Sequence, residues 1–120
     1  MEKLSPQEEE VMKAIWKTGE GSIKAFLDNM TPPTPPYTTV ASTVKNLEKK
    51  GFVSSRSIGK VILYKADMTE EEYKNRFMTG FVKDYFDNSY KEMVNFFVEK
   101  KKLSPAELKE IIQLIEKGNA

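Results

Sequence analysis

Residues 37–66 read YTTVASTVKNLEKKGFVSSRSIGKVILYKA, and the pattern changes period at Gly51. Before that glycine, Val40, Thr43, Val44 and Leu47 recur at helical spacing on one face, which predicts a helix from Thr38 or Thr39 to Lys50. Opposite them lie Thr39, Ala41, Ser42, Lys45, Asn46 and Lys49, all small or polar. Gly51 supplies the stop, since a residue without a Cβ accepts the left-handed conformation that closes a helix. Beyond it, residues 52–57 and 61–66 are rich in β-branched and aromatic side chains and join across Ile58-Gly59-Lys60, which predicts a hairpin.

Toward the N-terminus, residues 31–37 hold four prolines and cannot be helical. Ser22 is placed to cap a short helix reaching about Asn29, with Ile23, Phe26, Leu27 and Met30 on its apolar face. Ser5-Pro6-Gln7-Glu8 is a capping-box sequence that opens a helix from about Pro6 to Thr18. Val11, Met12, Ile15 and Trp16 face inward there, Trp16 as a core aromatic, and Glu20-Gly21 forms a turn. Three helices followed by a two-stranded ribbon is the order of a winged helix-turn-helix, expected over residues 1–66.

Residues 67–120 are helical by pattern, with the same capping device at Thr69-Glu70-Glu71-Glu72 and Ser104-Pro105-Ala106-Glu107. Tyr73, Phe77, Phe81 and Tyr85 recur every fourth residue with Met78, Val82 and Phe86 beside them, a band wider than one core face needs. A fifth helix after Asp87-Asn88-Ser89 presents Tyr90, Met93, Val94, Phe97 and Val98. A sixth, from Pro105 to about Lys117, presents Leu108, Ile111, Ile112 and Ile115. So short a segment is poorly able to bury this surface alone. The expectation is a homodimer through Tyr73, Phe77, Phe81, Tyr85, Tyr90, Met93, Val94, Phe97, Leu108, Ile111, Ile112 and Ile115; the alternative is a monomer whose aromatics fold back on the first half. The fold class is mainly α with a small β-hairpin wing, an N-terminal winged helix-turn-helix (1–66) and a C-terminal helical dimerisation module (67–120).

The 120 residues contain no Cys and no His, which removes thiol and imidazole nucleophiles, disulfides and the usual zinc ligands. The carboxylate runs Glu8-Glu9-Glu10 and Glu70-Glu71-Glu72 lie in helix first turns, where caps and the helix dipole account for them. No catalytic residue, metal or cofactor is expected, and a hydrolase is the weakest reading. The start, Met1-Glu2-Lys3-Leu4, lacks the apolar core of a signal peptide, and no run spans a membrane, so a cytoplasmic location is expected.

Charge is informative by region. Lys and Arg total 19 against 18 Asp and Glu, a net of +1, yet residues 35–65 set Lys45, Lys49, Lys50, Arg56, Lys60 and Lys65 against Glu48 alone, a net of +5. Neutralising phosphates by Lys and Arg releases counterions and drives binding to duplex DNA. Thr38, Thr39, Ser42, Lys45, Asn46 and Lys49 are therefore candidates for the major groove and its phosphates, and Arg56 and Lys60 for a backbone or minor groove beside the wing. The partner expected is double-stranded DNA; the competing reading is a winged-helix module that holds other proteins.

Residues 4–12 (LSPQEEEVM) with Ile15-Trp16, then Tyr37-Thr38-Thr39-Val40, residues 47–53 (LEKKGFV), Gly59-Lys60 with Tyr64, and Thr69-Glu70-Glu71-Glu72-Tyr73 together resemble the penicillinase and methicillin-resistance repressors of the BlaI/MecI type. The resemblance runs in order along nearly the whole chain. It implies a homodimeric winged-helix repressor that blocks transcription at a palindromic operator of genes such as those of antibiotic resistance. By resemblance, Thr38, Thr39, Ser42, Lys45 and Asn46 fall on the recognition helix and Arg56 and Lys60 on the wing. Where many members carry Trp-Ser before the Tyr, this chain has Pro35-Pro36. Members that control β-lactam resistance are cut at an Asn-Phe bond in the dimerisation module, which implies a cleavage region at Asn95, Phe96 and Phe97 and a sensor or antirepressor protease as partner. Ungapped alignment through Phe97-Val98-Glu99-Lys100 places Phe96 at the cleavage-side position, so Asn95-Phe96 is one residue out of register. A copper-sensing branch uses C-terminal cysteines, which are absent here.

Overall fold

The computed structural model describes residues 3–118. Ser5 accepts the Glu8 amide at 3.1 Å while the Glu8 carboxylate accepts the Ser5 amide at 2.8 Å, and α1 (Pro6–Thr18) begins there. Ser22 caps α2 (Ile23–Asp28) through the Ala25 amide at 3.2 Å. The next helix, α3 (Tyr37–Lys49), starts one residue before the earliest expected position. No hydroxyl caps it; the Pro36 carbonyl takes the Thr39 and Val40 amides at 3.0 and 3.1 Å, so the signal that marks the other starts is missing. Gly51 follows at φ +85°, the conformation its position requires.

The ribbon is β1 (Val53–Ile58) paired antiparallel with β2 (Val61–Ala66), in a register that sets Val53 opposite Ala66 and Ile58 opposite Val61. Gly59-Lys60 is then a two-residue turn, and its positive φ at Gly59 alone (+60°) suits a type II′ geometry matched to strand twist. Gly21 exchanges both backbone hydrogen bonds with Tyr64, at 3.0 and 2.8 Å, adding a single bridge on the free edge of β2. Helices α1, α2 and α3 pack around Val11, Met12, Ile15, Phe26, Val40, Val44 and Leu47, with Phe52, Val53 and Tyr64 of the ribbon region closing the core. The mainly helical winged-helix architecture expected from the pattern is the one observed.

Two compact units divide the chain, Met1–Arg76 and Phe77–Ala120, with the division inside α4 (Glu70–Phe86) and not at residue 66. Tyr73 is the reason. Its ring lies 5.6 Å from Trp16 and 6.2 Å from Phe52 between centroids, and its hydroxyl donates to Glu9 at 3.2 Å. Burial and the Glu9 carboxylate push its phenol up to about 12. Tyr73, expected at the dimer interface, is instead a core residue of the first unit, 7% exposed. Trp16 is partly buried, and its indole N–H donates to the Met68 carbonyl at 2.8 Å.

The second unit holds the rest of α4, then α5 (Tyr90–Glu99) and α6 (Pro105–Gly118). Asp87 and Asn88 adopt left-handed conformations between α4 and α5, which short polar side chains tolerate, and Ser89 caps α5 through the Glu92 amide. Ser104 and Glu107 form the expected reciprocal cap of α6. Ring contacts link Phe77, Phe81, Phe86, Phe96 and Phe97 in succession at 5.7–6.3 Å. Among the described residues of this unit only Val82 is buried. No helix among the described residues is long and apolar enough to cross a membrane.

Glu8 also reaches Lys50, just past α3, at 2.9 Å. Burial alone would raise its carboxyl, but hydrogen bonds from Ser5 and Lys50 outweigh that and hold it below the ordinary value of 4.5. Such a group stabilises the fold above the unfolded-state pKa, and the contribution disappears as pH falls through the lower folded-state pKa. Glu8→Gln is expected to cost about 1–2 kcal/mol at pH 7. In urea melts, the gap to wild type should hold from pH 7 to 5 and close in stronger acid. A constant gap down to pH 2.5 would contradict the assignment.

Candidate nucleic-acid interface

The burial of Val40, Thr43, Val44 and Leu47 forces the opposite face of α3 outward. Thr38, Ser42, Lys45, Asn46 and Lys49 are all exposed along it, at spacings of three and four residues that make one stripe. Thr39 is half-buried at the edge of that stripe, and its carbonyl accepts the hydroxyls of Ser42 at 3.0 Å and Thr43 at 2.7 Å. Ser42 therefore presents lone pairs outward, and a hydroxyl rotor turns readily to donate instead. Asn46 offers an amide donor and acceptor, the pair that matches an adenine edge, while Lys45 and Lys49 are point charges suited to phosphate.

On the wing, Lys60 stands exposed at the turn. Arg56, the other wing candidate for a backbone or minor-groove contact, is held by a carboxylate of its own chain. It lies opposite Leu63 in the register, and its guanidinium grips Glu20 with Nε to Oε2 at 2.8 Å and Nη2 to Oε1 at 2.6 Å. That hydrogen-bonded pair holds the Glu20 carboxyl below its ordinary range and raises Arg56. Lys50 is likewise taken by Glu8, and Glu48 accepts the Ser55 hydroxyl at 2.6 Å. Counting Glu8 and Glu20 with Glu48 against the six cations lowers the local net charge from +5 to +3. Lys45, Lys49, Lys60 and Lys65 remain exposed, with no ion pair among the described residues. Sequence reasoning missed Glu20 and Glu8 as partners, because both bonds join residues far apart along the chain and no periodicity announces them.

In the second unit, Tyr85, Tyr90, Val94, Ile111, Ile112 and Ile115 are exposed, Phe77 is 38% exposed, and Phe81, Met93, Phe97 and Leu108 are half-buried. Asn95, Phe96 and Phe97 lie on α5, so a cut among them needs that helix to open. No cluster of acidic, His or Cys residues suited to a metal occurs among the described residues.

A family model described as "Penicillinase repressor" matches residues 4–117. The penicillinase repressor of Bacillus licheniformis is 27% identical over 114 residues, 94% of this chain and 89% of that protein. The methicillin resistance regulatory protein MecI of Staphylococcus aureus strain N315 is 27% identical over 116 residues, 95% and 94% of the two chains. A solved structure of BpsR from Bordetella bronchiseptica, a protein whose DNA binding is regulated by 6-hydroxynicotinic acid, aligns with 98% of this chain and 76% of its own, at 19% identity and a TM-score of 0.48.

Proposed function

The chain belongs to the penicillinase repressor family, and from that membership we propose that it is a transcriptional repressor that binds duplex DNA as a homodimer, one α3 in the major groove of each half of a palindromic operator. The observation that carries the reading is the exposed stripe Thr38, Ser42, Lys45, Asn46 and Lys49, with Lys60 at the wing turn, in a chain of net charge only +1. Its mechanism is occupancy: the bound dimer excludes polymerase, and two linked heads hold the operator far more tightly than one.

Selecting fragments of the source genome with the purified protein tests this. The recovered set should share an inverted repeat with half-site centres about 10 base pairs, or a multiple, apart. A protein that retains no duplex even at low salt is a protein-interaction module instead. Within the interface, Ser42→Ala and Asn46→Ala are expected to change which base is preferred at one position, by about 1–3 kcal/mol. Lys49→Gln and Lys60→Gln are expected to weaken all duplexes alike and lower the salt exponent by about 0.9 per lost contact. Unchanged sequence preference in the first pair would remove α3 from the groove.

Proteolytic relief near Asn95, Phe96 and Phe97 belongs to the same proposal, supported by the family's association with penicillinase and methicillin resistance in its relatives' names. Incubation with the induced sensor protease should yield a fragment ending there; an intact band excludes it.

A further inference from the structure

Successive residues of a strand point to opposite faces, and Ser55 and Arg56 use this to tie the ribbon on both sides. Ser55 shares the core-packed face with Val53 and Tyr64 and donates to Glu48 of α3. Arg56, on the other face beside Leu63, reaches across β2 to Glu20, which precedes the Gly21 bridge on the far edge of that strand. Crossing two strand spacings, about 10 Å, needs both long side chains extended. Toward the tip nothing apolar takes over: Ile58, Val61 and Ile62 are 53, 51 and 49% exposed. An isolated two-stranded ribbon is only marginally ordered, so the outer half of the wing depends on such ties. A bidentate Arg–carboxylate pair also fixes direction, which a single Lys contact does not.

We infer that Glu20 is a positioning residue for DNA binding: its two-point grip on Arg56 sets the angle of the wing so that Lys60 meets the phosphate backbone, and Arg56 itself does not touch DNA. This rests on the DNA-binding reading above. The guanidinium spends Nε and Nη2 on Glu20, and the neighbouring carboxylate would repel a phosphate brought to the same group.

Charge exchange in the full chain tests it, using a duplex that wild-type protein selects from the genome. Glu20→Gln and Arg56→Glu should each weaken binding about five- to tenfold, while the exchanged pair E20R/R56E returns to within about threefold of wild type. With Lys60 already changed to Gln, Arg56→Gln should leave the salt exponent unchanged, because the contact it positions is gone. The Arg56 side chain is 60% exposed and that of Glu20 31%, so the pair lies at the surface and the variants should melt within about 5 °C of wild type. If the exchanged pair stays as weak as R56E, or R56Q lowers the exponent by a further amount of about 0.9 per bound protomer in the Lys60→Gln background, Arg56 touches phosphate and the positioning role is overturned. R56E that binds like wild type overturns it equally. Wild-type protein that captures no duplex overturns the DNA-binding reading itself, whereas capture without rescue overturns only the role of Glu20.

Discussion

With Ile112 and Ile115 both changed to Asp, the protein is expected to sediment as a monomer and to bind its operator about 100- to 10,000-fold more weakly. The two side chains are 52 and 57% exposed on α6, alongside Leu114 at 69% and Ile111 at 40%, and Tyr85 of α4 is 70% exposed. So much aliphatic and aromatic surface on one small unit is unusual for a solitary chain. Each such side chain fully buried against a second copy contributes about 1.5–3 kcal/mol, and a charge set in the same place must be desolvated without a partner. The first unit is untouched by these substitutions, so binding to an isolated half-site should change little. That contrast separates lost pairing from lost folding. A wild-type protein that already sediments as a monomer, or a double variant that remains a dimer, would refute the interface.

Phe26→Ala is expected to destabilise the first unit by about 3–5 kcal/mol and to abolish DNA binding at 37 °C. Phe26 is 0% exposed and one of the largest fully buried side chains, on a helix only six residues long that is held in place by its packing. A domain of this size has about 5–15 kcal/mol in total, so one such cavity consumes a large share. The chain's single Trp, Trp16, packs on Tyr73 within the same unit and reports its unfolding by fluorescence. A urea midpoint displaced by less than the equivalent of about 1 kcal/mol would show that α2 is not integral to the core.

Most of the fold was legible because its signals are local. Hydroxyl caps at Ser5, Ser22, Ser89 and Ser104, the glycine after α3 and the alternation around Gly59-Lys60 each act within a few residues, and the elements begin and end beside them. The stripe on α3 was legible for the same reason: a helix with Val40, Val44 and Leu47 inward has no choice about where Ser42 and Asn46 go. The start of α3 was less legible, since Pro36 caps it with backbone alone.

Sequence alone determined the order of elements, the polar face of α3 and the apolar surplus of the C-terminal half, because period and capping are properties of neighbouring residues. Tertiary structure alone decided which charges stay available. Arg56 and Lys50 carry the same formal charge as Lys45 and Lys60, yet Glu20 and Glu8 engage the first two, and Tyr73 exchanges an expected interface for the core beside Trp16. Coulombic and packing partners are chosen by distance in space, which the spacing of residues along a chain does not encode.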